Sequence, residues 1–300
     1  MTSEHLKAFA GLEDVEFSGI FSLTKSRSEA LAKQYGIKNV YNSVEELYES
    51  TRADLVVISV PELSTLEVCK KAFKYPWTLL VEKPVGYDLA NAKEIYRLSQ
   101  EAKSKVFVAL NRRHYSSTRR LIKELSERSG TRYIHITDQE DPIAALKAGQ
   151  PEIVVKNWMY ANSIHLIDYF NFLGRGKIIS VEPVVKWNPE KPSHVLTKIT
   201  YSSGDIGIYE AAWNRPGPWS AIVTLDDSRW ELRPVEQIAW QAYGTRKLEA
   251  LPVDERDTQF KPGLRLQAEE ALKAVRGESH FLPDLSAALA SMELVSQIYS

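Results

Sequence analysis

The chain has 300 residues and a mass of 34.0 kDa, a length that is typical of two domains. Its 38 Lys and Arg residues nearly balance 39 Asp and Glu residues, which argues against nucleic acid or a membrane as a partner, because both require a basic surface. The single cysteine, Cys69, excludes an internal disulfide and a cysteine-based metal cluster, and no metal site is expected. The longest apolar run, within Leu55–Val60, is too short to span a bilayer, and no export signal is visible, so we expect a cytoplasmic protein.

Residues 1–112 alternate predicted strands with predicted helices. After a helix near Ser3–Phe9, the pattern predicts strand Glu16–Leu23, helix Ser26–Tyr35, a strand at Val40–Tyr41, a helix from Ser43, strand Asp54–Val60, helix Leu63–Phe73, strand Thr78–Val81, helix Leu89–Ala102 and strand Lys105–Leu110. Strands that alternate with helices of this length form a parallel sheet with right-handed crossovers. We therefore predict an α/β domain of the Rossmann type, the doubly wound fold that binds dinucleotides.

Residues 113–300 have a different pattern and form the second predicted domain. A strand at Thr131–Thr137 and a helix near Asn162–Leu173 precede six consecutive strands, which are Ile178–Lys186, His194–Tyr201, Gly204–Ala212, Trp219–Asp226, Ser228–Arg233 and Gln237–Ala242. Consecutive strands with short turns make an antiparallel sheet, so this domain is predicted to be α+β. Two helices, Leu264–Val275 and Leu285–Ile298, end the chain, either within this domain or packed back on the first one.

Polar residues follow two neighbouring strands of the predicted parallel sheet. Glu82, Lys83 and Pro84 come directly after one buried strand, and Asn111 to Arg113 follow the next. Ligands of open parallel sheets bind beyond the carboxyl ends of the strands, so Lys83 is a candidate for ligand contact. The alternative for Lys83 is a solvated lysine beside a turn proline, and for the arginines a basic helix start on a solvated face.

His165 and Asp168 form a second candidate site. They lie three residues apart on the predicted helix that ends at Gly174, and therefore on one side of it. An imidazole held near a carboxylate is a suitable proton-transfer group at neutral pH. The alternative is a structural pair, which is the more frequent reason for a histidine beside an aspartate on a helix.

The two motifs together resemble those of the glucose–fructose oxidoreductase/inositol dehydrogenase (Gfo/Idh/MocA) family. The Glu-Lys-Pro hallmark of that family matches Glu82, Lys83 and Pro84, and its Gly-x-His-x-x-Asp motif matches Ser163–Asp168, with Ser163 in place of the glycine. The resemblance covers nearly the whole chain. It implies an NAD(P)-binding domain followed by an α/β domain with a large, mostly antiparallel sheet that commonly packs against a partner subunit.

The resemblance also implies roles for the two motif residues. Lys83 would hold the substrate hydroxyl and the nicotinamide in place, and His165 would be the acid–base group. A turn with a cis peptide bond before Pro84 would aim Lys83 into a crevice that it shares with His165. Hydride transfer to a nicotinamide carbon requires the substrate hydroxyl to lose a proton, which a neutral imidazole can accept.

Further cofactor and substrate contacts are expected on the same basis. The residues expected to bind the cofactor are Ser22, Lys25, Arg27, Pro61, Glu82 and Pro84. The family often has an acidic residue where Ser22 stands, and its absence beside Lys25 and Arg27 predicts NADP rather than NAD; the alternative is a solvated basic turn. The residues expected to bind a sugar-like substrate are Arg113, Asn157, Tyr160 and Asp168, with Asn214 and Arg215 as further candidates. The ring of Trp158 is expected to cover the apolar side of the sugar.

Three departures from the family pattern leave a second function open. Ala161 stands where many members have an aspartate, four residues before the histidine. The Pro-Asn-x-x-His of the family keeps only Pro61, and the only Gly-x-Gly, at Gly174–Gly176, lies in the wrong context for a phosphate. The first strand and the glycine turn are expected upstream of Met1.

Without that strand, two arrangements are expected: the strands at 16–23 and 54–60 either stay apart or close up. Residues 1–300 alone are expected to bind NADP weakly or not at all. The chain is therefore either an NAD(P)-dependent oxidoreductase that acts on a sugar, cyclitol or sugar nucleotide, or a cofactor-free relative that serves as a binding or scaffold protein.

Overall fold

The computed structural model describes residues 1–300, and its first part is the predicted alternation of strands and helices. The elements are α1 (Thr2–Phe9), β1 (Ile20–Phe21), α2 (Lys25–Tyr35), β2 (Val40–Tyr41), α3 (Val44–Ser50), β3 (Leu55–Ile58), α4 (Thr65–Ala72), β4 (Thr78–Glu82), α5 (Leu89–Ser99) and β5 (Lys105–Ala109). Side-chain caps start two helices, since Ser43 accepts the Glu46 N–H and Asp88 accepts the Asn91 N–H. All five residues of β4 are buried, as expected for a strand covered on both faces. The α/β prediction for this part is confirmed.

The strands of this part form two separate parallel sheets. β1 pairs only with β2, whereas β3, β4 and β5 form a three-stranded sheet in that order. No ladder joins β1 to β3, which is the first of the two expected arrangements. The predicted strand Glu16–Leu23 is wrong in its length. Only Ile20 and Phe21 have partners on β2, and a residue outside a ladder is not part of a strand.

The second part contains one large sheet with helices around it. Its elements are α6 (Ser116–Ser126), β6 (Tyr133–Glu140), α7 (Pro142–Lys147), α8 (Glu152–Lys156), a π-helical turn (Met159–Ser163), α9 (Ile164–Ile167), α10 (Phe170–Leu173), β7 (Ile178–Val185), β8 (His194–Tyr201), β9 (Ile206–Trp213), β10 (Ser220–Thr224), β11 (Ser228–Leu232), β12 (Ile238–Ala242), β13 (Glu249–Leu251), α11 (Arg256–Gln259), α12 (Leu264–Arg276) and α13 (Leu285–Ile298). The sheet order is β13-β12-β11-β10-β6-β9-β8-β7, and only the β6–β9 pair is parallel. The predicted large, mostly antiparallel sheet is confirmed.

The last two helices connect the two parts of the chain. On α13, Leu285 is buried in the core of the first part and Val295 in the core of the second. On α12, Ala268 and Ala271 pack in one apolar cluster with Ala8 of α1. The last two helices therefore pack against the first domain, which is one of the two arrangements expected from the sequence. None of the helices combines the length and the apolar character that crossing a bilayer requires.

Candidate active site

Lys83 lies at the carboxyl end of β4 and reaches across to the second domain. The Lys83–Pro84 peptide bond is cis, as predicted, and the half-buried Lys83 Nζ donates a hydrogen bond of 2.7 Å to the carbonyl oxygen of Ala161. Burial, against the opposing effect of Glu82 and with a smaller contribution from the charge of Arg112, lowers the pKa of Lys83 to about 8. The ammonium is therefore charged at neutral pH and close to its titration.

His165 lies on α9, one helical turn after Ala161. Helix carbonyls point towards the C-terminal end, so the bond from Lys83 to Ala161 brings the ammonium to the turn that carries His165. The His165 side chain is buried, with 8% of the residue exposed, and has no hydrogen-bond partner in the chain. Burial, followed by the charges of Arg112 and Lys83, holds the pKa of His165 well below its ordinary value. A neutral imidazole with free nitrogens is available here as a proton acceptor.

Asp168 does not pair with His165, and that prediction is wrong. Its carboxylate accepts two hydrogen bonds from Arg113, of 2.8 Å to Nε and 2.7 Å to Nη2, and one of 2.6 Å from the Ser291 hydroxyl. Asp168 is 2% exposed. These contacts come from β5–α6 and α13, which lie far from Asp168 in sequence, so helical spacing alone could not reveal them. Asp168 and Arg113 bind each other in the structure, and their role as substrate contacts stays a prediction.

Two buried acids support the turn before His165, and the sequence analysis missed both. Glu140 accepts hydrogen bonds of 2.9 Å from the Asn162 amide and from the Ser163 hydroxyl, and Asp138 accepts one of 2.7 Å from Tyr209. Burial and the neighbouring Asp138 raise the pKa of Glu140 well above its ordinary value. The signal in the sequence was the position of both acids on the buried side of β6, where alternation otherwise places apolar residues.

Arg112 and Trp219 also border His165. The Arg112 guanidinium carbon lies 4.8 Å from the centroid of the Trp219 ring, and that ring lies 6.2 Å from the imidazole of His165. The indole N–H of Trp219 donates to the Gln139 carbonyl oxygen at 2.9 Å, which fixes the ring in place. The sequence predicted Trp158 as the aromatic cover for a sugar, but the ring beside His165 is that of Trp219, which lies just before the distant strand β10.

The expected cofactor residues lie along the carboxyl edge of the strands. Ser22 follows β1, and the exposed Lys25 and Arg27 lie in the first turn of α2. Pro61 is exposed after β3, and Pro84 is buried after β4. The carboxylate of Glu82 is bound to His5 of α1, with 2.6 Å between Oε1 and Nε2, so Glu82 is already occupied within the chain.

The arrangement of this edge fits a dinucleotide. Thr2 in the first turn of α1 lies beside the end of β3, 3.3 Å from the Ser59 hydroxyl, and a helix N-terminus at this place is suited to a pyrophosphate. His165 and Lys83 lie close enough for the charge of Lys83 to act on the imidazole, at the carboxyl end of β4. The exposed cations Lys25 and Arg27 follow β1 at the same edge.

The other expected substrate residues are more scattered. Asn157 uses its amide to cap α8, donating to the Ile153 carbonyl oxygen at 2.9 Å, and Tyr160 packs half-buried against the core. Asn214 and Arg215 are exposed beyond β9. The structure therefore brings Lys83 and His165 together, whereas it shows no contact of the other four with either residue.

Comparisons with known proteins agree with this architecture. Residues 1–110 match the family model GFO_IDH_MocA, described as an oxidoreductase family with an NAD-binding Rossmann fold. No curated protein sequence matches the chain.

Solved structures extend the likeness to the whole chain. The UDP-N-acetylglucosamine 3-dehydrogenase GnnA from Acidithiobacillus ferrooxidans is 17% identical, with a TM-score of 0.78 over 99% of this chain and 92% of its own. A levoglucosan dehydrogenase in complex with NADH and levoglucosan is 15% identical, with a TM-score of 0.80 over 99% and 93%. The WlbA dehydrogenase from Bordetella pertussis, in complex with NADH and UDP-GlcNAcA, is 15% identical, with a TM-score of 0.76 over 99% and 91%. At these identities the likeness concerns the fold.

Proposed function

Through residues 1–110 the chain belongs to the Gfo/Idh/MocA family of oxidoreductases, and on this premise we propose that it transfers a hydride between NAD(P) and a sugar-like substrate. The reacting group is a hydroxyl or keto group of a sugar, cyclitol or sugar nucleotide. The observation that carries the proposal is the contact of Lys83 with the turn that holds His165. It places an ammonium and a neutral imidazole together at the carboxyl edge of the dinucleotide-binding sheet.

The chemistry assigned to the chain is proton transfer and charge stabilisation. Bound NAD(P) supplies the carbon that accepts the hydride from the substrate C–H bond. His165 accepts the proton of the substrate hydroxyl through one of its free nitrogens, which is possible because its low pKa keeps the ring neutral. The Lys83 ammonium stabilises the negative charge that develops on the substrate oxygen. In the reverse direction the imidazolium returns the proton to the oxygen.

Two residues of the first domain support NADP as the preferred cofactor. Lys25 and Arg27 are exposed and have no salt-bridge partner, and no carboxylate stands at the position of Ser22. A 2′-phosphate would accept charge-assisted hydrogen bonds from both cations, whereas a carboxylate at Ser22 would repel it.

We also propose that the protein is cytoplasmic and assembles as a homo-oligomer through the large sheet. Large apolar side chains on β6 and β7 support a partner surface there, since Tyr133, Ile179 and Val184 are all exposed. Division into domains at residues 1–112 and 113–300 is proposed on the change from parallel to mostly antiparallel pairing.

A substrate panel tests the proposed activity. The purified chain is incubated with NADP or NAD and with neutral sugars, sugar acids, a cyclitol and nucleotide sugars, and reduced nicotinamide is followed by absorbance. We expect cofactor reduction that depends on one class of these substrates. Absence of reduction with every class, while the cofactor binds, would refute the proposal and favour a binding or scaffold protein.

A further inference from the structure

Two adjacent arginines after β5 have opposite surroundings. Arg113 is held by the Asp168 carboxylate through two hydrogen bonds. Arg112 is also half-buried, but it has no salt bridge to any carboxylate, and its Nε is buried without a partner, as are those of Arg128 and Arg132. A guanidinium withdrawn from water without a counter-ion is costly for the fold. The missing partner of the Arg112 guanidinium therefore needs an explanation, whereas Arg113 has its counter-ion in Asp168.

Arg128 makes a similar contact with an indole ring elsewhere in the chain. Arg128 lies over the ring of Trp230 at 5.1 Å, much as Arg112 lies over Trp219 at 4.8 Å. Arg128 also binds the Glu124 carboxylate at 2.8 Å. Stacking on an indole thus accompanies a carboxylate partner at Arg128 and lacks one at Arg112. Arg112 therefore has the same aromatic contact without an anion from the chain.

The other charges near His165 do not provide that anion. The charges of Arg112, Lys83 and Lys261 all act on His165, and Lys83 binds a neutral carbonyl oxygen. Of the acids whose charges act on Lys83, Glu82 binds His5 and Glu140 binds Asn162 and Ser163, whereas Glu62 has no partner. No carboxylate is among the charges that act on His165. The surroundings of His165 are therefore positive and short of counter-charge.

From this imbalance we propose that the substrate carries an anionic group, which Arg112 binds beside the Trp219 ring. The proposal rests on the proposed function and specifies its substrate class: an acidic or phosphorylated sugar rather than a neutral one. The planar guanidinium can bind a carboxylate or a phosphate through two parallel hydrogen bonds, and both groups are therefore covered. The Trp219 ring would cover an apolar face of the sugar while its N–H stays on Gln139.

Binding calorimetry with three probes tests the proposal and separates the two anions. Glucuronate, glucose 6-phosphate and glucose are titrated into the chain in the presence of NADP. We expect one or both anionic sugars to bind at least about 10-fold more tightly than glucose, and the Arg112→Gln variant to lose about 10-fold to 100-fold of that affinity. The anion with the larger loss identifies the group. Equal affinity for glucose and both anionic sugars would overturn the proposal.

Matched variants distinguish the loss of an anion contact from a folding defect. Arg128→Gln removes an arginine from an indole ring outside the site, and we expect it to leave the affinity for every probe unchanged. Arg112→Lys keeps the charge without the planar fork and should retain part of the preference for the anion. If Arg112→Gln melts at the wild-type temperature and binds the anionic sugars as tightly as the wild type, the proposal is wrong.

Failure of the proposed function has a different signature. In that case no sugar would reduce the cofactor, whatever its charge. Reduction of the cofactor with neutral sugars, without any preference for anionic ones, would leave the oxidoreductase function intact and overturn only the role of Arg112.

Discussion

The Lys83 ammonium donates a hydrogen bond of 2.7 Å to the carbonyl oxygen of Ala161. Lys83 ends a strand of the dinucleotide-binding sheet, and Ala161 lies in a π-helical turn of the second domain, 78 positions later in the chain. The contact therefore fixes one domain against the other at the place where His165 begins its helix. Together with α13, whose residues are buried in the cores of both parts, this bond holds the two sides of the crevice together.

Replacement of Lys83 should slow turnover strongly. In Lys83→Met the ammonium that stabilises the developing alkoxide is lost, and we expect kcat to fall by about 10²-fold to 10³-fold. Steady-state kinetics with the substrate found in the panel provide the measurement. Lys93→Met changes an exposed lysine on α5 and should leave kcat unchanged. A Lys83→Met enzyme with wild-type kcat would remove Lys83 from the mechanism.

The pH dependence of oxidation should follow the two shifted groups. The pKa of His165 lies well below its ordinary value of 6.5. The imidazole is therefore neutral and able to accept a proton at pH 7, and it stays so when the pH falls to 6.5. Lys83 has a pKa of about 8, so its ammonium is lost as the pH rises through about 8. We therefore expect kcat/KM to be flat through neutral pH and to fall on the alkaline side.

The Lys83→Arg variant separates these two limbs. A guanidinium keeps its charge far above pH 8, so the alkaline fall should disappear or move upward even if the rate is lower. An alkaline fall that stays at the same pH in Lys83→Arg would show that another group causes it.

The Arg113–Asp168 ion pair should be a large contribution to stability. Asp168→Ala leaves the mostly buried guanidinium without a counter-charge, and we expect a loss of about 3–5 kcal/mol in the free energy of unfolding. Urea denaturation gives this value. Glu94→Gln breaks the exposed Arg97–Glu94 pair on α5 and should leave the midpoint unchanged. Equal midpoints for both variants would show that the buried pair is not needed for the fold.

The basic turn after β1 should determine the choice of cofactor. We expect NADPH to bind more tightly than NADH, and the Lys25→Ala/Arg27→Ala double variant to lose at least about 10-fold in NADPH affinity, because charge-assisted contacts to the 2′-phosphate are removed. Quenching of tryptophan fluorescence measures both affinities. Lys33→Ala, an exposed lysine later on α2, is the control. Tighter binding of NADH by the wild type would contradict the NADP assignment.

Local patterns in the sequence predicted most of the fold. The bounds of α13 and β8 agree with the sequence prediction to the residue. Asp284 caps the start of α13, and burial alternates along His194–Tyr201, so both elements follow local signals. The π-helical turn at Met159–Ser163 has no such signal. The length of β1 was overpredicted because it depends on the two residues of β2 that pair with it.

The site was predictable only where motifs stand beside a strand end or on one helix. Lys83 and His165 could be placed together in this way. The partner of Asp168 could not, because Arg113 and Ser291 reach it from distant elements. The same reason explains why Trp219 was missed, since nothing local marks which tryptophan will face the imidazole.

Single-turnover hydride transfer in wild-type and His165→Ala enzymes tests the central claim most directly. Each enzyme is saturated with cofactor, mixed rapidly with the substrate, and followed by the absorbance of reduced nicotinamide. We expect the rate of hydride transfer to fall by about 10²-fold to 10⁴-fold in His165→Ala, with cofactor affinity unchanged. His194→Ala, an exposed histidine at the start of β8, should keep the wild-type rate. A wild-type rate in His165→Ala would contradict the claim that this imidazole takes the proton.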